Sequence, residues 1–323
     1  MAFKKGMYPP IKPNKRIFLK VDSLHTLYVE ECGNKKGIPT LYLHGGPGGS
    51  INSNNRRIFN PRKYRIILFD QRGSGKSKPN KLTKKNTTND LINDIEKIRE
   101  KLEIKKWLIV GGSWGSTLGL TYSIKNPNKV LGLILRGVFL GSREETFWAF
   151  NDAAKYFYPE LINKIENKIK KNKKNNIFQE LGKMLDSGNE KKRKIASNIW
   201  HNYERILSIL EPGNINILNF FKNISKQKKN PTSPFLEWHY AKNNFFIKKN
   251  EIKMGLKRIK NIPTIIIQGR YDLICPPKSA FFIHKNLSNS VLKIIESSGH
   301  ATSEKKIKSN LIKAINEIYK KIK

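Results

Sequence analysis

The sequence predicts an α/β fold whose central sheet is mostly parallel and into which a helical segment is inserted. Short apolar runs recur along the chain without a polar face, as expected of parallel strands that helices cover on both sides. Amphipathic helical stretches alternate with these runs, which is the pattern of an α/β sheet. From 141 to 250 only helical signals are found, so the sheet is expected to pause there and to resume near Ile262.

The elements follow one another in a regular order. Residues 16–31 alternate between apolar and polar positions around a turn, which predicts a β-hairpin. Apolar runs then predict strands at 40–43, 65–69, 107–110, 130–135, 264–268 and 291–295. Helices are predicted at 88–102, 116–126 and 279–287. The chain is therefore expected to have a first core part at 1–140, a helical insertion at 141–250 and a second core part at 251–323.

The charge balance is strongly basic. The chain has 63 Lys and Arg residues against 25 Asp and Glu, a net charge of +38 that commonly indicates a nucleic-acid or anionic-membrane partner. The excess is mostly Lys mixed with Asn and Ile, as at 168–176 and 226–230, and all three residue types have A/T-rich codons. Arg is sparse, and no nucleic-acid-binding motif is found. We therefore attribute the charge to codon composition, expect no specific nucleic-acid partner, and interpret 168–176 as a solvated helix end.

Cysteine usage and hydropathy indicate the compartment. Cys32 and Cys275 are too few for a disulfide framework and lack the spacing of a metal site, which favours a reducing environment. The basic N-terminus runs into Pro9 and Pro10 without the apolar segment of a secretory signal. No run of about 18 apolar residues is found, so no membrane-spanning helix is expected. The sequence thus predicts a cytoplasmic protein without a membrane partner.

A Gly-x-Ser-x-Gly motif at 111–115 contains a candidate nucleophile. The motif follows the predicted strand 107–110 and precedes the predicted helix 116–126. Small residues on both sides of Ser113 permit the strained strand-to-helix turn that projects a serine hydroxyl above the sheet, with a helix N-terminus beneath it. A bare pentapeptide of this kind is often an inert turn, but its place between a strand and a helix favours a catalytic serine.

A serine nucleophile needs a base and an acid that orients the base. His300 follows the predicted strand 291–295, at the carboxyl end where parallel sheets keep their sites. The other histidines lie in the hairpin, in the insertion, in a helix and before a glycine loop: His25, His201, His239, His284 and His44. Asp272 occupies the matching position after the strand 264–268. The chain order Ser113, Asp272, His300 is that of the α/β-hydrolase triad.

A glycine loop at 44–49 is the candidate oxyanion hole. It follows the predicted strand 40–43, and its glycines let backbone N–H groups approach a substrate without obstruction. The expected donors are the N–H groups of Gly46 and of Trp114, the residue after the nucleophile.

The segment 70–77 ends like a phosphate-binding loop. Asp70 stands where that motif requires its first glycine, so a phosphate site is not expected. We interpret the segment as a structural turn in which Asp70 and Arg72 fix neighbouring loops.

Several motifs together resemble one enzyme family. They lie at 8–10, 24–34, 44–49, 70–75, 111–118 and 269–272. The Gly-Gly-Ser-Trp-Gly-Ser form at 111–116 is far more specific than the pentapeptide alone. On these residues the chain is similar, nearly from end to end, to bacterial prolyl iminopeptidases, which are serine aminopeptidases of the α/β-hydrolase fold. The resemblance implies that 141–250 is a helical cap, and that N-terminal proline is released from small peptides through a prolyl-enzyme intermediate without a metal or organic cofactor.

The same resemblance implies residues for the substrate's free N-terminus. Glu204 and Glu237 would hold the amine, and two acids in an otherwise Lys-rich helical segment suit a charged amine in a partly desolvated pocket. Without the family, both would be taken for ordinary glutamates on a helix surface. Arg136 also matches the family pattern and is expected to contact substrate.

Aromatic residues are expected to cover the compact, rigid proline ring. The candidates are Phe139, Phe147 and Trp148. The chain departs from the family at 149–150, where Tyr and then Gln or Glu are expected, and at 301–305, which lacks an expected proline. These departures leave the triad intact and bear on the selectivity of the pocket.

Two alternative functions stay open at this point. An esterase or an amino acid amidase of the same fold would use the same triad. A polyanion-binding protein on a degenerate hydrolase scaffold would account for the charge, although an intact triad and glycine loop argue against it. Dehalogenase and epoxide hydrolase chemistry is not expected, because those enzymes have Asp where Ser113 stands. The expected assembly is a monomer or a small homo-oligomer.

Overall fold

An eight-stranded sheet forms the centre of the computed structural model, which describes residues 6–169, 176–211 and 231–323. Its strands are β1 (Lys15–Lys20), β2 (Thr26–Gly33), β3 (Ile38–Leu43), β4 (Tyr64–Phe69), β5 (Trp107–Ser113), β6 (Val130–Val138), β7 (Thr264–Gly269) and β8 (Ser290–Ile295). They are arranged in the order β1-β2-β4-β3-β5-β6-β7-β8. The pairs β1–β2 and β2–β4 are antiparallel, and all pairs from β4–β3 to β7–β8 are parallel. The predicted hairpin and the mostly parallel sheet are confirmed.

Helices cover the sheet and make up the regular structure that is described between β6 and β7. The α-helices of the described residues are α1 (Ser53–Arg56), α2 (Thr88–Lys101), α3 (Trp114–Lys125), α4 (Arg143–Phe147), α5 (Ala153–Phe157), α6 (Pro159–Ile169), α7 (Ile177–Asp186), α8 (Glu190–Leu207), α9 (Ser233–Lys242), α10 (Glu251–Gly255), α11 (Pro277–Asn286) and α12 (Lys305–Ile322). Short 3₁₀ segments lie at Pro127–Lys129, Asn244–Phe246 and Leu256–Arg258, and a π-helical turn lies at Trp148–Asp152. The domain boundaries at 140 and 250 stay a prediction.

The sheet separates two hydrophobic clusters, and β5 contributes to both. Trp107 and Ile109 pack on one face, in the cluster that includes the apolar side chains of α2 and α3. Leu108 and Val110 pack on the other face, in the cluster that includes those of α12. Successive side chains of a strand point to opposite faces. A central strand with helices on both faces must therefore be apolar throughout, which is the pattern that the sequence shows.

The last strand, β8, departs from this pattern. The sequence run 291–295 predicts a strand that is covered on both faces, but Val291 is 39% exposed and Lys293 is half-buried. β8 pairs only with β7 and forms one edge of the sheet. The prediction of full cover is wrong here, because the side chains of this strand lie at the margin of the sheet and are only partly covered.

The order of the strands creates a crevice above β3 and β5. The chain passes from β3 to β4 on one side and reaches β5 on the other side of β3. The loops that leave the carboxyl ends of β3 and β5 therefore diverge, and open α/β sheets bind their ligands at such a point. The glycine loop at 44–49 and Ser113 follow these two strands.

The insertion has a hydrophobic cluster of its own. Phe150, Leu181, Trp200 and Tyr203 belong to it, and all four are buried. Most of the Lys-rich run 168–176 and all of 226–230 lie outside the described residues, so the solvated helix end predicted there stays a prediction. Within the part of the chain that is described, no helix has both the length and the apolar character needed to cross a membrane.

Candidate active site

Ser113 lies at a sharp turn between β5 and α3. Its φ of 56° and ψ of −128° are unfavourable for any residue that has a side chain. The flanking glycines are required by close packing: a Cβ on Gly111 would lie 2.1 Å from the carbonyl oxygen of Gly115, and a Cβ on Gly115 would lie 2.2 Å from that of Leu43. The strained residue of this turn is thus the predicted nucleophile, and strain of this kind concentrates at functional sites.

The structure brings His300 and Asp272 together. Nδ1 of His300 lies 2.7 Å from Oδ2 of Asp272, and both side chains are buried. The other carboxylate oxygen of Asp272 accepts hydrogen bonds from the backbone N–H groups of Ile274, at 3.0 Å, and Cys275, at 2.7 Å. These contacts fix the carboxylate so that it accepts the Nδ1 proton, which places the lone pair of a neutral imidazole on Nε2, the atom that acts as the base in a triad.

Arg136 occupies the other side of the imidazole. Its Nη1 lies 3.2 Å from Nε2 of His300 and also donates to the backbone oxygen of His300, at 2.9 Å. The guanidinium lies against Gly112, where a Cβ would be 2.4 Å from Nη2. The sequence assigned Arg136 to the substrate and missed this contact with the base. Gly112 and Arg136 are paired neighbours on β5 and β6, which explains why the guanidinium lies against Gly112.

The two predicted oxyanion donors flank the nucleophile. Gly46 and Pro47 line the same cavity as Ser113. Gly46 has a φ of +112°, and a Cβ there would lie 2.7 Å from the backbone nitrogens of Gly48 and Gly49, so only glycine fits. Trp114 is the first residue of α3, where backbone N–H groups have no acceptor within the helix. Their role as the oxyanion hole stays a prediction.

Gln71 links the two segments that contain these donors. Its side chain donates from Nε2 to the backbone oxygen of His44, at 3.0 Å, and accepts from Nε1 of Trp114, at 2.9 Å. Its backbone N–H donates to Nε2 of His44, also at 3.0 Å. All three side chains are buried. Sequence reasoning missed Gln71, because these partners are far from it along the chain.

The neighbours of Gln71 fix loops, as the sequence predicted. Asp70 accepts hydrogen bonds from the backbone N–H groups of Ile51, at 2.7 Å, and Lys76, at 2.8 Å. Arg72 forms a buried ion pair with Asp94 on α2, with Nε and Oδ2 2.6 Å apart. The segment is therefore held as a structural turn beside the glycine loop.

Two carboxyl groups from the insertion face the same cavity as Ser113. Glu204 lies on α8 and Glu237 on α9. Glu237 accepts a hydrogen bond from Nε1 of Trp200, at 2.5 Å. Burial raises the pKa of both glutamates, and the charge of Glu237 raises the pKa of Glu204 further. Two neighbouring carboxyl groups of this kind share a proton when no cation is bound between them, and a bound cation stabilises the form in which both are charged.

The cavity that joins these groups is small. Its volume is about 60 Å³. It is lined by Gly46, Pro47, Ser113, Phe139, Glu145, Thr146, Ala149, Phe150, Phe178, Trp200, Glu204, Glu237, Ala241, Phe245, Ile274 and Cys275. A nucleophile, a backbone donor loop and a pair of acids thus share one enclosure, with aromatic walls between them.

The aromatic walls differ in part from those expected from the sequence. Phe139 lines the cavity, whereas Phe147 is 50% exposed and the indole of Trp148 donates to the backbone oxygen of Leu273, at 2.9 Å. The π-helical turn Trp148–Asp152 instead directs the next two residues, Ala149 and Phe150, to the cavity. A π-helical turn changes which residues share a helix face, and no sequence pattern indicated one here.

Three further wall residues were missed by sequence reasoning: Phe178, Trp200 and Phe245. The ring of Phe178 lies 5.1 Å from that of Trp200, between their centroids. Helical spacing contained a signal for Trp200, which lies one turn before Glu204 on α8 and therefore on the same face.

Both cysteines are free and buried. Burial raises the pKa of the Cys32 thiol to about 12 and that of Cys275, which lines the cavity, well above its ordinary value. Both are therefore thiols near neutral pH. In the described ranges, no group of three or more His, Cys, Asp or Glu residues is placed to hold a metal ion.

Comparison with known proteins gives a consistent result. A family model described as alpha/beta hydrolase fold matches residues 39–306. Proline iminopeptidase of Arabidopsis thaliana is 40% identical over 316 residues, which cover 96% of this chain and 81% of that protein. Proline iminopeptidase of Neisseria meningitidis serogroup B is 36% identical over 315 residues, which cover 97% of this chain and 98% of that protein.

Solved structures agree on the fold. A thermophilic esterase from Thermogutta terrifontis superposes with a TM-score of 0.64 at 17% identity, over 95% of this chain and 99% of that one. At this identity the likeness concerns the architecture alone.

Proposed function

The chain belongs to the proline iminopeptidase family of the α/β-hydrolase fold, and from this premise we propose that it is a serine aminopeptidase that releases N-terminal proline from peptides. The observation that carries the proposal is the shared cavity of Ser113, Glu204 and Glu237. An aminopeptidase needs its nucleophile at a short, fixed distance from the site that binds the free amine of the substrate. An esterase or amidase that lacks a requirement for the amine has no use for two paired acids there, because removing them from water costs free energy.

The small, aromatic-walled cavity suits the compact ring of proline. Its volume is about 60 Å³. The rings of Phe139 and Phe245, 4.9 Å apart between centroids, line it and offer a pyrrolidine ring an apolar wall.

The proposed reaction proceeds by acyl transfer. Oγ of Ser113 attacks the carbonyl carbon of the first residue while Nε2 of His300 takes the hydroxyl proton. Asp272 holds the imidazole by its Nδ1–H and stabilises the imidazolium that forms. The oxyanion accepts hydrogen bonds from the backbone N–H groups of Gly46 and Trp114. Nε2 then gives its proton to the leaving amine nitrogen and the C–N bond breaks. In the second half of the reaction, water attacks the prolyl-enzyme ester while Nε2 takes its proton, and Nε2 then returns a proton to Oγ of Ser113 as proline leaves.

Glu204 and Glu237 account for the requirement of a free N-terminus. An amine that enters this cavity loses its hydration, and the two carboxylates replace that water. The cation in turn stabilises the charged form of both acids, whose pKa values are raised in its absence. An N-blocked residue has no positive charge at this point, and the cavity has no space for its blocking group.

The substrates proposed for this site are small peptides with N-terminal proline. Two free, buried thiols, Cys32 and Cys275, agree with a reducing compartment such as the cytoplasm.

A panel of aminoacyl-arylamides tests the function. Pro-arylamide should be the preferred substrate of the purified protein, and N-acetyl-Pro-arylamide should be nearly inert. Ser113→Ala should abolish turnover of every active member of the panel. Preference for a simple ester over Pro-arylamide, or equal cleavage of the N-acetylated compound, would instead support the esterase or amidase alternative.

A further inference from the structure

Backbone hydrogen bonds join the end of α8 to the loop that contains His300. After α8 ends at Leu207, the backbone oxygen of Ser208 accepts two hydrogen bonds, from the N–H groups of His300, at 2.9 Å, and Ala301, at 2.7 Å. A segment of the insertion therefore holds the backbone of the proposed catalytic histidine directly. Displacement of one without the other would break both hydrogen bonds.

Glu304 reinforces this junction from the side of the core. Its Oε1 accepts from the backbone N–H of Leu210, at 2.8 Å, and its Oε2 accepts from that of Gly299, at 2.9 Å. One carboxylate thus bridges the two segments, with one oxygen for each. The packing between them is tight, because a Cβ on Gly299 would lie 3.1 Å from Oε1 of Glu304 and 3.2 Å from the oxygen of Ser208.

The helix at this junction also carries a proposed amine ligand. Glu204 lies one turn before Ser208, and the backbone N–H of Ser208 donates to the backbone oxygen of Glu204, at 2.9 Å. Hydrogen bonds therefore lead without interruption from the backbone of Glu204 through Ser208 to the backbone of His300. A helix turn is stiff, so a shift of Glu204 along or across the axis of α8 is passed to its last residues.

The imidazole has to change partners for the proposed reaction. A neutral imidazole that donates from Nδ1 has a single lone pair, on Nε2. In this structure that lone pair faces Nη1 of Arg136 at 3.2 Å. The imidazole must turn so that Nε2 faces the hydroxyl of Ser113 before a proton can move. The loop that would make this movement is the one whose backbone is hydrogen-bonded to Ser208 at the end of α8.

We propose that Glu304 is a positioning residue, which couples the His300 loop to α8 so that binding of the substrate's amine at Glu204 brings the imidazole into line with Ser113. The proposal rests on the role given above to Glu204. It makes the amine a requirement for turnover as well as for binding. Peptides with a blocked or missing amine would then be turned over slowly even when they are bound.

Two matched esters test the coupling, the benzyl esters of proline and of cyclopentanecarboxylic acid, which differ only in the ring nitrogen. In the wild type, kcat for the proline ester should be the larger of the two. Glu304→Gln keeps the shape of the side chain but has one acceptor oxygen, so one of the two N–H groups loses its partner. It should reduce the ratio of the two kcat values about 10- to 100-fold, the range for a hydrogen bond to a charged group, and leave KM for the proline ester within about twofold of the wild type.

Gly299→Ala is a second variant, because its Cβ presses the two segments apart while the carboxylate remains. It should reduce the same ratio if it folds, whatever the outcome for Glu304→Gln. Glu296→Gln is the matched control: this glutamate is exposed, pairs with Arg270 on the surface and should leave the ratio unchanged. Thermal melting of each variant checks that it is folded.

A fall of both kcat values by the same factor would show that Glu304 merely maintains the fold of the loop, and would overturn the proposal. An unchanged ratio in folded Glu304→Gln, or a wild-type ratio near one, would do the same. Failure of the proposed function is separate from these results: the wild type would then hydrolyse the cyclopentanecarboxylate ester but not Pro-arylamide.

Discussion

Replacing Glu237 by glutamine tests whether the paired acids recognise the amine of the substrate. Glutamine has the same shape and still accepts the hydrogen bond of Trp200 through its amide oxygen, so the packing of the insertion should be retained. What is removed is one of the two charges that would face the amine.

The structure sets the size of the expected loss. Removing one member of a buried charge pair costs about 3–5 kcal/mol, and about 1.4 kcal/mol corresponds to a factor of ten. Here Glu204 remains, and its pKa falls once the charge of Glu237 no longer repels it. Glu204 then carries a full charge more readily and compensates in part. We therefore expect a loss at the lower end, about 10²-fold in kcat/KM for Pro-arylamide.

The assay compares Pro-arylamide with the cyclopentanecarboxylate ester, which has no amine. The ester should lose much less in Glu237→Gln, because the triad is undisturbed. Glu190→Gln is the matched control, since this exposed glutamate lies on α8 like Glu204 but at the far end of the helix. Wild-type activity of Glu237→Gln on Pro-arylamide, or an equal loss on both substrates, would refute the reasoning.

Three further predictions concern stability and the triad. Ser113→Gly should raise the free energy of unfolding in urea by about 1 kcal/mol while activity is lost, because glycine accepts the positive φ of this turn; unchanged or lower stability would contradict the inferred strain. Because folding raises the pKa values of Glu204 and Glu237, the stabilisation linked to their protonation is complete below the ordinary value of 4.5 and is lost as pH rises through the raised values. The free energy of unfolding of the wild type should therefore fall with rising pH across this window, and that of Glu204→Gln should fall less. Parallel pH profiles of urea unfolding for the two proteins would contradict this prediction. Asp272→Asn should lower kcat about 10⁴-fold, since an amide favours the wrong imidazole tautomer, and a loss below tenfold would exclude Asp272 as the orienting acid.

The sequence by itself determined the features that depend on near neighbours in the chain. Apolar runs identified the central strands because a strand covered on both faces has no polar side. The glycines around Ser113 predicted a strained turn because they leave room for tightly packed backbone there. The positions of Asp272 and His300 after parallel strands placed them at one edge of the sheet, where the structure has them 2.7 Å apart.

Only the tertiary structure decided which distant side chains meet. Gln71 bridges the glycine loop and Trp114, Arg136 faces the base rather than the cavity, and Glu304 ties the base to the insertion. Each contact joins residues that no periodicity relates, since its partners come from different strands or from the insertion and the core. Hydrophobic pattern and backbone sterics act locally and can be recognised in the sequence, whereas these hydrogen bonds exist only once the strands, their loops and the insertion are packed together.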